Sequence, residues 1–207
     1  MRVSKRRYHN EILGYALAAR MVTHEARTDT IRRWSGVSED RIRLLYRANG
    51  PERGERPAVR HRGPAPRQSA FFLRTAQIRS HAGALAGMCS LLGIIPAQPL
   101  ANARRELPGL HRGELLCCAY EMFRSLVGAS EITLEYSVLL VVAIAQGTQL
   151  RLGNCLHCGA AIVFDPSEPG WRACRHCRNE VQLLSEHASA AATSVDAISY
   201  GTQQSLF

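Results

Sequence analysis

No stretch of this 207-residue sequence is apolar for long enough to span a bilayer. The longest runs, Ala82–Pro96 and Ser137–Ala145, fall short of the roughly 20 residues a transmembrane helix needs, and they read as buried helices. The opening MRVSKRRYHNEILGYALAAR is basic but has no apolar h-region and no small-residue cleavage site, so no signal peptide is expected. Without export, thiols stay reduced, and a cytoplasmic location follows as the expectation. Seven cysteines, an odd number, argue against a closed disulfide framework. Aromatic residues make up only 6% of the chain, leaving no evident stacking surface for single-stranded nucleic acid. There is no carboxylate pair or nucleophile–base constellation at motif spacing, and no glycine-rich phosphate loop. His24, His61, His81 and His111 are scattered over different segments. The chain is therefore not read as an enzyme.

Lysine is nearly absent as well: 25 of the 26 basic residues are arginine, a bias that a GC-rich genome would also produce. Their distribution carries more information than their number. Residues 1–80 hold 18 Lys/Arg against 7 Asp/Glu, whereas residues 81–207 hold 8 against 10. All of the net charge of +9 thus arises in the first 80 residues, which points to a polyanion partner for that part, nucleic acid first.

The 46% hydrophobic content is enough to build a core, and the pattern of the apolar residues is mainly helical. Helices are predicted over Asn10–Met21, Thr28–Ser35, Glu39–Ala48, Ser69–Leu92, Arg112–Val127 and Ile132–Ala145. In the first, Ile12, Ala16 and Ala19 form one stripe, with Leu13, Leu17 and Met21 beside it. Leu115, Ala119, Met122 and Leu126 share the helical spacing in Arg112–Val127. Cys89, Cys117 and Cys118 fall among core positions and read as packing material. Gly50–Gln68 packs four prolines, three glycines and five arginines into 19 residues, which excludes a packed helix and suggests a linker or partner-contacting arm. The resulting division is a basic helical region (1–49), the linker (50–68), a helical core and partner-binding region (69–150), a cysteine element (151–178) and a tail (179–207) expected to be mostly disordered.

The cysteine element, NCLHCGAAIVFDPSEPGWRACRHC, holds Cys155, Cys158, Cys174 and Cys177 as two Cys-x-x-Cys pairs separated by fifteen residues. Each pair can offer two thiolates to one ion, and four close the tetrahedral shell of a structural Zn²⁺, one per chain. Gly159 allows a tight turn after the first pair; Arg178 stands at the equivalent place after the second. AAIVF and GWRA are strand-like on either side of DPSEPG, giving a zinc-ribbon-like hairpin between two knuckles. His157 and His176 each lie between two better-placed thiolates. A thioredoxin-like site would need a βαβ pattern, which is absent, and a catalytic zinc would keep an open position. Arg151, Arg172, Arg175 and Arg178 flank the cluster and would offset its formal charge of about −2.

TDTIRRWSGVSEDRIRLLYRA, Thr28–Ala48, has the shape of a helix-turn-helix. Gly36 takes the turn, Ser38 is the candidate N-cap of the second helix, and Ile31, Ile42 and Leu45 pack the pair together. The second helix would present Ser38, Arg41, Arg43 and Arg47 to phosphates or base edges. Such corners also occur in purely structural folds, and Glu39 and Asp40 are unfavourable neighbours for phosphate.

Taken in order, WSGVSEDRIRLLYRANG, a Pro/Gly/basic loop, a helical middle and LRLGNCLHCGAAIVFDPSEPGWRACRHC resemble the FlhC family, over roughly Asn10–Cys177. FlhC is the larger subunit of the bacterial flagellar master transcriptional activator. The resemblance implies a mainly α-helical protein whose zinc ligands are Cys155, Cys158, Cys174 and Cys177. It implies a hetero-oligomer with an FlhD-type subunit that binds double-stranded promoter DNA and helps recruit RNA polymerase. DNA contacts would fall on Arg41, Arg43 and Arg47 and on linker arginines such as Arg53, Arg60 and Arg62. Two departures leave alternatives open. The segment SAFFLRTAQIRSHAGALA lacks the tryptophans and acidic residues typical of the family, and the tail after Arg178 has no Lys or Arg. A divergent zinc-binding interaction protein without promoter activation is one alternative; an RNA-associated zinc-ribbon protein is another.

Overall fold

A computed structural model describes residues 2–49, 58–168 and 173–178. Arg53, Arg172 and the tail 179–207 lie outside the described residues, as does most of GWRA. The architecture is mainly α: the helices α1 (Arg2–Thr23), α2 (Thr28–Ser35), α3 (Glu39–Ala48), α4 (Ala76–Leu91), α5 (Ala103–Glu106), α6 (Leu110–Val127) and α7 (Leu134–Gln146) precede a small antiparallel sheet, β1 (Arg151–Asn154) and β2 (Ala161–Phe164). No helix among the described residues is long and apolar enough to cross a membrane.

The first helix runs longer than its pattern predicts, and only part of the predicted stripes, Leu17 and Met21, turns inward. Leu17, Ala18, Met21 and Val22 are buried, while Ile12 and Leu13 stand in solvent. Helix α2 comes close to α1 at Gly14, where a Cβ would lie 2.6 Å from the Ser35 carbonyl oxygen. Helices α2 and α3 meet through a short turn, Gly36–Ser38, with Ile31 and Ile42 fully buried and Leu45 packed at the edge. The Tyr46 hydroxyl donates to the Ala26 carbonyl and pins α3 to the α1–α2 junction.

The N-terminus of α2 has no cap from its own N-cap residue, Arg27. Instead the Glu135 carboxylate, in the first turn of α7, accepts from the Arg27 amide (2.6 Å) and the Thr30 hydroxyl (3.0 Å). A buried carboxylate at a helix N-terminus satisfies orphan amides and meets the positive end of the dipole. Burial raises the Glu135 pKa even so.

Residues 58–68, the second part of the proline-rich stretch, lie against this junction. With no repeating backbone pattern available to them, they are held by side chains. Glu25 accepts from the Val59 amide (3.1 Å), Thr28 accepts from Arg60 Nε (3.2 Å), and Arg27 donates to the carbonyls of Arg62 (2.7 Å) and Gly63 (2.9 Å).

The helix predicted over Ser69–Leu92 is divided in two. A 3₁₀ turn, Ser69–Leu73, comes first, and Thr75 then caps α4 by accepting from the Ile78 amide. Stacking of Phe71 on Tyr136 (3.9 Å between ring centroids) and burial of Phe72 hold the turn in its place. The short α5 has no counterpart in the sequence reading. On α6 the buried row is Leu116, Cys117, Ala119, Tyr120 and Phe123, so of the four residues predicted at core spacing Met122 and Leu126 are exposed instead. Helix α7 is buried on almost every side, from Leu139 to Ala145, which is why its sequence lacks a polar stripe. One hydrophobic cluster runs from Leu17 of α1 through Phe72 and Phe123 to Val163 of β2, so both sides of 50–68 contribute to the same core.

A polar tie crosses the outside of this core. Arg20 on α1 makes a two-pronged contact with Glu121 (2.8 and 2.6 Å) and a third bond to Glu114 (2.7 Å), both on α6. Its remaining contact is with Cys118 Sγ (3.2 Å), which leaves that thiol half-buried at the rim of the core.

Candidate metal centre and nucleic-acid interface

Strands β1 and β2 pair antiparallel, from Arg151 opposite Phe164 to Asn154 opposite Ala161. The ladder is extended by the Cys155 amide donating to the Ala160 carbonyl (2.8 Å), so the first Cys-x-x-Cys pair forms the tip of this hairpin. AAIVF is a strand as predicted, and its partner among the described residues, β1, precedes the first pair; the predicted pairing with GWRA lies outside the described residues. Cys155 and Cys158 are thereby held at the two ends of one tight turn. Gly159 closes it with a left-handed backbone (φ 73°), and the Asn154 side chain donates to the Gly159 carbonyl. The second pair is presented by a turn of helix, in which the Arg178 amide donates to the Cys174 carbonyl (3.0 Å). A helical turn needs no glycine, which explains how Arg178 can stand where the first turn has Gly159.

Together the two turns place the sulfurs of Cys155, Cys158, Cys174 and Cys177 within 4.8 Å of one another. The sulfurs of Cys158 and Cys174 lie 3.5 Å apart, far beyond the ~2.05 Å of a disulfide. A tetrahedral Zn²⁺ with Zn–S bonds of ~2.3 Å would have S···S edges of about 3.8 Å, so the cluster is of the right size for such an ion. His157 and His176 are not part of it.

The thiols are electrostatically unequal. Amides of Cys174, foremost, and of Cys158 donate to Cys155 and bring its pKa down to about 6. The same crowding raises Cys177, chiefly through its contact with Cys158. Four sulfurs this close repel as thiolates, and a divalent cation is what allows all four to ionise together. The centre is attached to the helical body through β2. A Cβ at Gly83 would fall 2.5 Å from the Ala161 carbonyl oxygen, so α4 offers a bare backbone on which the sheet rests. Val163 then enters the core.

The candidate nucleic-acid residues lie elsewhere. Ser38 occupies the N-cap position of α3 in an extended conformation, but its hydroxyl makes no capping bond. Arg41 and Arg47 are exposed, and among the described residues neither has an ion-pair partner. Arg43 differs, being bonded to Asp40 (3.0 Å) and Glu39 (3.4 Å) on its own helix. The acidic first turn of α3 is thus spent on Arg43, not on the other two. Arg60 and Arg62 are exposed on the 58–68 segment beside α2, apart from the cysteines. Two residues with structural leverage over this region, Arg27 and Glu135, belong to no local motif. They meet across 108 positions of sequence, and only the fold brings them together.

Neither the protein-family models nor the curated proteins compared with this chain match it.

Proposed function

We propose that the protein is a DNA-binding subunit of a transcriptional activator, of the FlhC type, in which a structural zinc orders the C-terminal element and the arginines of the N-terminal half hold duplex DNA. The observation that carries this reading is the state of α3: on a helix joined to α2 by a short turn, Arg41 and Arg47 are exposed and, among the described residues, free of ion pairs. Unpaired guanidinium groups on an exposed helix suit phosphate and guanine contacts. The concentration of positive charge in residues 1–80 provides the longer-range attraction. The hetero-oligomeric part of the reading draws on α1, where Tyr8, Ile12 and Tyr15 are exposed at spacings of one helical face. That apolar row is suited to an FlhD-type partner, and recruitment of RNA polymerase would follow from the assembled complex. No reaction is catalysed.

The test is a mobility-shift titration with a flagellar promoter duplex, an unrelated duplex and a structured RNA, with and without a co-purified FlhD-type subunit. Preference for the promoter duplex is expected. Preference for RNA, or no binding in either preparation, would contradict the reading.

A further inference from the structure

A concave feature lies beside α2, where residues 60–67 and α5 approach it. It is a cleft of about 490 Å³. Six arginines from three separate segments line it: Arg27, Arg33, Arg60, Arg62, Arg67 and Arg104. The acids in its wall, Asp29 and Glu135, are already engaged. Asp29 binds Arg32 and Arg33 (2.9 and 2.8 Å), and Glu135 caps α2. Arg62, Arg67 and Arg104 have no ion-pair partner among the described residues, and the Nε of Arg27 is buried without a hydrogen-bond acceptor. Trp34, Pro64, Pro108 and Leu139 supply apolar wall beside the cations.

We infer that this cleft binds a small molecule carrying a phosphate monoester or pyrophosphate group. Convergent guanidinium groups with unused donors recognise phosphate oxygens through charge-assisted bonds. Low-dielectric walls strengthen their field within the cleft. A group with two or more negative charges matches such a concentration of cations better than the single charge of a phosphodiester. The volume suits a small ligand, since pockets for such molecules run from about 300 to 1,000 Å³. The backbone of duplex DNA is a convex rod, and the exposed face of α3 fits it better than a cleft does. Because Arg60 and Arg62 belong to 58–68, ligand in the cleft would also hold that segment against α2.

The experiment is calorimetric titration of the full chain with inorganic pyrophosphate, with zinc content checked before and after. Saturable binding of one pyrophosphate per chain is expected. Arg67 and Arg104 are exposed and outside the core, so the pair Arg67→Gln and Arg104→Gln keeps the fold; each change should weaken binding roughly tenfold. Arg41→Gln with Arg47→Gln should leave it unchanged. Absence of saturable binding, or equal loss in both pairs, would overturn the assignment. So would a pair at 67 and 104 that abolishes promoter binding with no pyrophosphate bound by the parent chain, since the cleft would then be a DNA seat. Retained pyrophosphate binding without any promoter shift would support the cleft and count against the DNA reading alone.

Discussion

The helical body and the four-cysteine element are stabilised by different physics. In the body, stability comes from burial: α7 is enclosed nearly all round, and the cluster from Leu17 to Val163 excludes water along the whole core. In the element, only Cys155, Cys177 and Val163 are buried among the described residues from Arg151 onward, and the sheet has two strands. An isolated two-stranded hairpin is marginal in water, so on the zinc reading the ion would contribute what the core cannot. On that reading the body should tolerate loss of the metal, and the element should not.

The largest effect should follow Cys177→Ser or a strong chelator. On the zinc reading, zinc content should fall from one per chain to none, and protection of residues 151–168 from hydrogen exchange should be lost, while most of the helical circular dichroism persists. Metal binding by zinc-finger peptides is worth on the order of 10 kcal/mol, ample to fold an element of this size. Acid should act in the same direction, because binding needs thiolates and protonation releases the ion. If the helices melted together with the element, the contrast would be wrong. Next comes Phe123→Ala, which removes a fully buried ring from the body and should cost about 3–5 kcal/mol in denaturant unfolding, with zinc stoichiometry unchanged. A smaller effect is expected of Arg20→Ala, roughly 1–2 kcal/mol at neutral pH because the tie to α6 is partly exposed. Its pH dependence has a definite sign. The bond from Arg20, foremost, lowers the Glu121 pKa from 4.5 to about 2, so this stability is present above pH 4.5 and lost as pH falls toward 2. Unfolding of parent and variant should therefore converge in acid.

What could be read in the sequence was whatever is written locally. The two Cys-x-x-Cys pairs, the break at Gly36 and the inward Ile42 and Tyr46 follow from spacing alone, and each has its place in the structure. Features set by tertiary contact were not legible in this way. The close approach of Ser35 to Gly14 is one, and the cap of α2 by Glu135, far along the chain, is another. Hydrophobic spacing put Met122 and Leu126 in the core because a pattern on one helix does not say how wide its partner's contact is. On the cysteine element, the clustering of the four cysteines was legible, but the pairing of β2 with β1 was not, since β1 precedes the motif. The sequence likewise placed arginines in the N-terminal half without showing that, among the described residues, Arg43 is paired and Arg41 and Arg47 are not.

That last difference gives the most direct test. Promoter-DNA affinity would be measured by fluorescence anisotropy across a salt series for the parent chain, Arg41→Ala with Arg47→Ala, and Arg43→Ala, with zinc assayed in each. The account predicts that the double variant weakens binding by at least about tenfold and lowers the slope of log affinity against log salt by about two, one for each lost phosphate contact. Arg43→Ala should have the smaller effect, and zinc should stay at one per chain throughout. Unchanged affinity and salt slope in the double variant would contradict the claim that α3 holds DNA.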